Sequence, residues 1–183
     1  MRVEPRLDEV LNGERGMLKG IELCLERECL VSAVTLLFSA VDALSALTRA
    51  TTQGKTDSEV FKSWCDRYLQ PSANIRCSAT DLYAARCGVL HLYSAESDLA
   101  SRGIACRLVY QWRAGPRADA KVALPKDALV VEVESLFQVF KRGAHQFMID
   151  SETDPEVRTR VQHHLRTMLC YEPFPTLSAT VAV

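Results

Sequence analysis

The chain has 183 residues, 48% of them hydrophobic, which is enough for one compact domain with its own core. A formal net charge of -1 excludes a globally basic protein, so any surface for a polyanion has to be local. Seven cysteines, an odd number with no CxxC spacing, exclude a disulfide framework and fit reduced thiols.

The opening "MRVEPRLDEVLNGERG" lacks the basic, apolar and small-residue order of an export signal, so a cytoplasmic location is expected. Residues 6–26 carry Leu7, Val10, Leu11, Leu18, Ile21 and Leu25 at near-helical spacing, with Gly13, Gly16 and Gly20 as possible break points. Residues 29–47 are apolar over a length that could span a bilayer. Asp42, with Ser32, Thr35, Ser39 and Ser45, points instead to a buried helix and no membrane.

The loop "ATTQGKTD" ends in a capping box from Thr56 to Glu59, which starts the helix "SEVFKSWCDRYL" before Pro71. Ser78 or Thr80 caps the next helix, with Asp81 in its first turn, and this helix is expected to run to about Leu99. The period then changes. "IACRLVYQW" and "ALVVEV" are β-rich and flank Gly-Pro punctuation, which predicts a small β-hairpin or two short strands within about 104–133.

A helical stripe returns at Val133, Leu136, Phe137, Phe140, Ala144, Phe147 and Met148. The last helix begins at Asp154 and Pro155 and stops near Tyr171, ahead of Pro173 and Pro175. The tail "TLSATVAV" reads as an edge strand or as unstructured chain. With no repeat or linker, the expectation is a single domain over 1–183. Its class is mainly α: an up-and-down bundle of five or six helices with a β-hairpin after the helix that begins near Asp81.

That helix carries "DLYAARCGVLHLYSAES", residues 81–97, with an arginine and a histidine inside an otherwise apolar pattern. On an ideal helix Arg86 and His91 diverge by about 140°, so the pair meets only if the long arginine stem reaches round. His91 shares its face with Ala84, Gly88 and Ala95, small residues that would let another helix backbone approach. Imidazole moves protons near neutral pH, and a guanidinium holds phosphate oxygens and stabilises developing charge. RNA suits these parts, because its own 2′-hydroxyl can attack the adjacent phosphate.

A second pair, Arg158 and His163, has the same spacing but lies among charged residues and reads as solvated surface. His163 and His164 point about 100° apart, so no metal site is expected, and no cofactor. Arg102, Arg107, Arg113 and Arg117 form a possible phosphate-tracking series. Trp64 and Trp112 read as packing residues.

Arg86, four residues and His91, following a helix of the type "LFSAVDALSAL", resembles the HEPN (higher eukaryotes and prokaryotes nucleotide-binding) superfamily. The resemblance is best over residues 29–99, and "RCGVLHLY" also matches the extended form ending in His, any residue, Tyr. It implies a metal-independent ribonuclease acting on single-stranded RNA, with Arg86 and His91 catalytic and Tyr93 supporting. It further implies a homodimer joining two motif helices, a toxin-type role and a nucleotidyltransferase-like antitoxin as partner.

Asp42 is read as a satisfied core carboxylate or as a residue orienting His91. A structural pair, with Arg86 and His91 bonded to helix-end carbonyls or to Asp42, stays open. So does an inert module binding a nucleotide, RNA or a partner protein, which is favoured by Cys87 where active members commonly carry Asn, Asp or His.

Overall fold

The computed structural model describes residues 4–71, 75–92, 97–112 and 124–168. Two short helices open the chain, α1 (Pro5–Asn12) and α2 (Met17–Glu26). The break falls between Gly13 and Gly16. A Cβ at Gly13 would stand 2.4 Å from the Glu9 carbonyl oxygen, and one at Gly16 would stand 2.8 Å from that of Leu11. Bare backbone is therefore needed at both sides of the bend.

α3 (Leu30–Ala46) is the centre of the bundle, packed against α2, α4 (Ser58–Tyr68), α5 (Ala79–Leu92) and α7 (Val133–Thr153). Its inner face supplies Leu37, Phe38, Val41 and Leu44 to the core, all nearly free of solvent. No helix among the described residues is long and apolar enough to cross a membrane. Trp64 packs against Tyr68, Phe140 and Phe147 at ring separations of 5.2, 6.4 and 6.1 Å, joining α4 to α7 through tilted and edge-on aromatic contacts. The packing role expected for Trp64 is the observed one.

The turn into α3 holds Glu28 at φ 58°, in the left-handed region that favours glycine. Glu28→Gly is expected to raise stability by about 1 kcal/mol, read as a higher urea midpoint at unchanged slope. An unchanged midpoint would mean that Glu28 gains as much from its side chain as it loses in backbone strain.

α4 begins one residue away from the expected capping box. Asp57, not Thr56, is the cap, accepting the backbone N–H groups of Glu59 and Val60 at 3.0 Å each. A carboxylate at this position serves two orphan donors and complements the helix dipole, which a threonine hydroxyl does less well.

α5 starts at Ser78, one of the two expected caps. Ser78 Oγ accepts the Asp81 N–H at 3.1 Å, and Asp81 Oδ2 accepts the Ser78 N–H at 2.8 Å. The box is thus closed reciprocally, by Asp in place of Glu. Helix α5 is described as far as Leu92, and it does not run on to Leu99, because Ser97 is extended and caps a separate four-residue helix, α6 (Asp98–Ser101).

The two strands fall where composition puts them, but they do not form a hairpin. β1 (Arg107–Gln111) and β2 (Ala128–Glu132) pair in parallel, Arg107 opposite Ala128 through Gln111 opposite Glu132. Residues 112–127 lie between them, far more than a two- to five-residue hairpin loop and enough for the crossover that parallel pairing requires. β2 runs straight into α7, so Leu108 and Val131 enter the core from one edge of the bundle.

α8 (Pro155–His164) starts at Pro155 as expected, capped by the Asp154 side chain. A 3-10 turn, Leu165–Thr167, follows it, and the expected end near Tyr171 and the tail lie outside the described residues. α8 also bonds the turn that follows α3. Arg160 Nη1 donates to the Thr48 carbonyl at 3.0 Å, and His164 Nε2 donates to that of Arg49 at 3.2 Å.

The architecture is mainly α, as expected. Among the described residues the five or six expected helices become seven of eight residues or more, because the first region divides and each remaining one is kept.

Candidate functional site

The site is built from one residue of α3 and two of α5. Asp42 lies on the outer side of α3, and Arg86 projects from the middle of α5, which packs alongside. Arg86 Nη2 donates to Asp42 Oδ2 at 2.6 Å, with the two side chains 19% and 31% exposed. Partial burial disfavours the charged guanidinium, but the hydrogen bond and charge of Asp42 outweigh it and raise the Arg86 pKa. Arg86 is therefore a fixed cation with its orientation set by a carboxylate.

The other end of the guanidinium meets the histidine. Arg86 Nη1 and His91 Nε2 are 3.1 Å apart, so the two residues come together despite their divergent positions on the helix. The wheel describes Cα directions, and the arginine stem is long enough to cross the difference. A guanidinium can only donate, so in this contact Nε2 accepts and the ring proton is on Nδ1. His91 is exposed on the last turn of α5, whereas Arg86 Nε is buried with no partner among the described residues.

Cys87 Sγ lies 4.0 Å from Arg86 Nη1, and Tyr83 stands one turn earlier. Burial, followed by the neighbouring Cys87, raises the Tyr83 pKa. The polar line Asp42, Arg86, His91 thus runs along the edge of the α3–α5 contact, with the half-buried guanidinium at its centre and the exposed imidazole at one end.

The expected interface needs correction. Ala84 is only 1% exposed and Gly88 is buried within the single chain, so neither offers a free groove to a neighbouring helix. Small residues permit close packing inside a protomer as readily as between two. Of the described residues on that face, His91 is the one a second molecule could reach. Tyr93 and Ala95 lie outside the described residues.

Asp42 does not touch His91 directly. It acts on the histidine through Arg86, a relay between the two roles the sequence left open.

The sequence placed Asp81 in the first turn of α5 but did not show its second role. Besides capping α5, its Oδ1 accepts the Cys106 N–H at 2.6 Å, tying the start of the motif helix to the chain that enters β1. The Ser78 to Asp81 spacing signals the cap, and nothing in the sequence signals the bond to Cys106.

The decoy pair behaves as a surface pair, with Arg158 and His163 both exposed. Arg102 is exposed too, whereas Arg113 and Arg117 of the proposed phosphate-tracking series lie outside the described residues.

A separate cleft of about 370 Å³ gathers Arg49, Arg67 and Arg160 beside Trp64. Its arginines are already engaged. Arg67 binds Asp150 and Asp154, Arg160 binds Glu156, and Arg49 binds the Ala46 and Gln53 carbonyls. Three committed cations lined up with Asp57 and Glu59 make a structural seam and a poor anion receptor.

No protein-family model matches the chain, and comparison with curated proteins and with solved structures returned no match.

Proposed function

We propose that the protein is a metal-independent endoribonuclease, acting on single-stranded RNA with His91 as the proton-transfer residue and Arg86 as the phosphate clamp. The observation that carries this reading is the Asp42–Arg86–His91 relay, at 2.6 and 3.1 Å, ending in an exposed imidazole. In this reading the RNA phosphate enters between Arg86 and His91, taking the guanidinium donor that Nε2 now accepts. The freed Nε2 then accepts the proton of the 2′-hydroxyl as that oxygen bonds to phosphorus, and the bond to the 5′-oxygen breaks.

Arg86 opposes the charge that builds on the non-bridging oxygens, and Asp42 keeps it aimed. One copy supplies one imidazole. A homodimer with His91 near the two-fold axis supplies a second, which as an imidazolium gives its Nε2 proton to the leaving 5′-oxygen and ends neutral while the first ends protonated. A toxin-type role, held in check by a nucleotidyltransferase-like partner, belongs to the same reading.

The test is incubation of purified protein with single-stranded RNA in excess chelator. Cleavage with 2′,3′-cyclic phosphate ends is expected, unchanged in Arg158→Ala, since the decoy pair lies away from the site. Absence of cleavage over a range of RNAs, with the protein folded and dimeric by sedimentation, would sink the ribonuclease reading. The inert binding module would then stand in its place, and Cys87 beside the guanidinium is the feature that favours it.

A further inference from the structure

The turn from α2 into α3 carries a cysteine on each side of its cap, Cys24 and Cys29, joined through a backbone hydrogen bond. The Glu28 N–H donates to the Leu25 carbonyl at 3.1 Å, and the Cys29 N–H donates to the Cys24 carbonyl at 2.8 Å. With Glu28 left-handed, these are the two backward bonds of a Schellman motif. In that motif the side chains of the residue two before the last helical position and of the second residue after the cap frequently come into contact over the turn. Here those positions are occupied by Cys24 and Cys29.

Both are free thiols, Cys29 exposed and Cys24 half-buried against the core. Cys29 Sγ is folded back over the turn, 3.6 Å from the Arg27 carbonyl oxygen. Two other cysteines differ in kind. Cys65 and Cys77 are buried, and burial raises the first thiol well above its ordinary range and pushes the second up to about 11. They are packing residues, poorly placed to react.

We propose that Cys24 and Cys29 form an oxidisable dithiol, which a hydroperoxide converts to a disulfide across the α2–α3 turn. The exposed Cys29 sulfur attacks one peroxide oxygen and the O–O bond breaks. With hydrogen peroxide, this leaves Cys29 as a sulfenic acid and releases one water. The Cys24 sulfur then attacks the Cys29 sulfur, the S–O bond breaks, and the hydroxyl leaves as a second water with the Cys24 proton. Two thiols are oxidised by two electrons in all, and one peroxide is reduced to two waters. The inference is independent of the ribonuclease reading.

The sequence makes the test direct. Trypsin cuts after Lys19, Arg27 and Arg49, so Cys24 and Cys29 end in different peptides, 20–27 and 28–49, each with one cysteine. The full chain is treated with hydrogen peroxide, its remaining thiols are blocked, and it is digested without reductant. The expected result is a linked 20–27/28–49 peptide from a chain that stays monomeric on a denaturing non-reducing gel, with two thiols lost and both restored by dithiothreitol.

Cys24→Ser is expected to stop at a sulfenic acid on Cys29, trapped by dimedone. Cys29→Ser is expected to leave Cys24 reduced. If wild-type protein shows both thiols unreacted, or Cys29 linked only to other cysteines or between chains, the dithiol proposal is overturned.

Discussion

His91→Ala is expected to slow RNA cleavage by on the order of a hundredfold or more, the usual loss when a proton-transfer group is removed. The fold should not change, because the imidazole is exposed and contributes nothing to the core. Circular dichroism and sedimentation of the variant are therefore expected to match wild type. Arg86→Ala is a less clean test of chemistry, since it leaves Asp42 without its ion-pair partner and can lose stability as well as rate. The histidine variant decides between the readings: a folded, dimeric His91→Ala protein that cleaves at the wild-type rate would remove the histidine from the mechanism.

The largest stability effect is expected at Gly143, in the middle of α7. A Cβ there would stand 2.5 Å from the Tyr68 carbonyl oxygen and 3.0 Å from Leu69 Cδ2, so the end of α4 would have to move. Gly143→Ala should improve helix propensity by about 1 kcal/mol, and the clash should outweigh it, for a net loss of about 1–3 kcal/mol. Gly20, in α2, is the control: its Cβ would meet only Leu36 Cδ1 at 3.9 Å, an ordinary contact. Gly20→Ala should therefore stabilise by up to about 1 kcal/mol. Opposite signs in urea denaturation are the expected result; the same sign for both would mean that α7 does not approach α4 this closely.

The helices were legible because their apolar residues recur with the helical period and their ends carry strong signals, such as Asp154 with Pro155. Pairing direction was not legible. β-branched residues announce strands at 107–111 and 128–132, but only the length of the connection distinguishes parallel from hairpin. Thr56 matched the capping-box spacing, and its neighbour Asp57 won because its carboxylate accepts from two backbone donors.

At the site, the residue types were readable and their contacts were not. Helical angles separate Arg86 from His91, whereas a flexible arginine stem joins them. Ala84 and Gly88 signalled close approach without saying to what, and the answer lies inside the same chain. Asp42 looked like a membrane argument first, yet its main service is to hold the guanidinium.

The turn that follows α3 has a bearing on how the protein is made. The carbonyls of Thr48 and Arg49 are met by Arg160 and His164, which follow them by 112 and 115 positions in the chain. A ribosome delivers residues in order, so a nascent chain that already contains Asp42, Arg86 and His91 still has water at those two carbonyls. The turn that closes the helix bearing Asp42 reaches its final bonding only after residue 164 has been added.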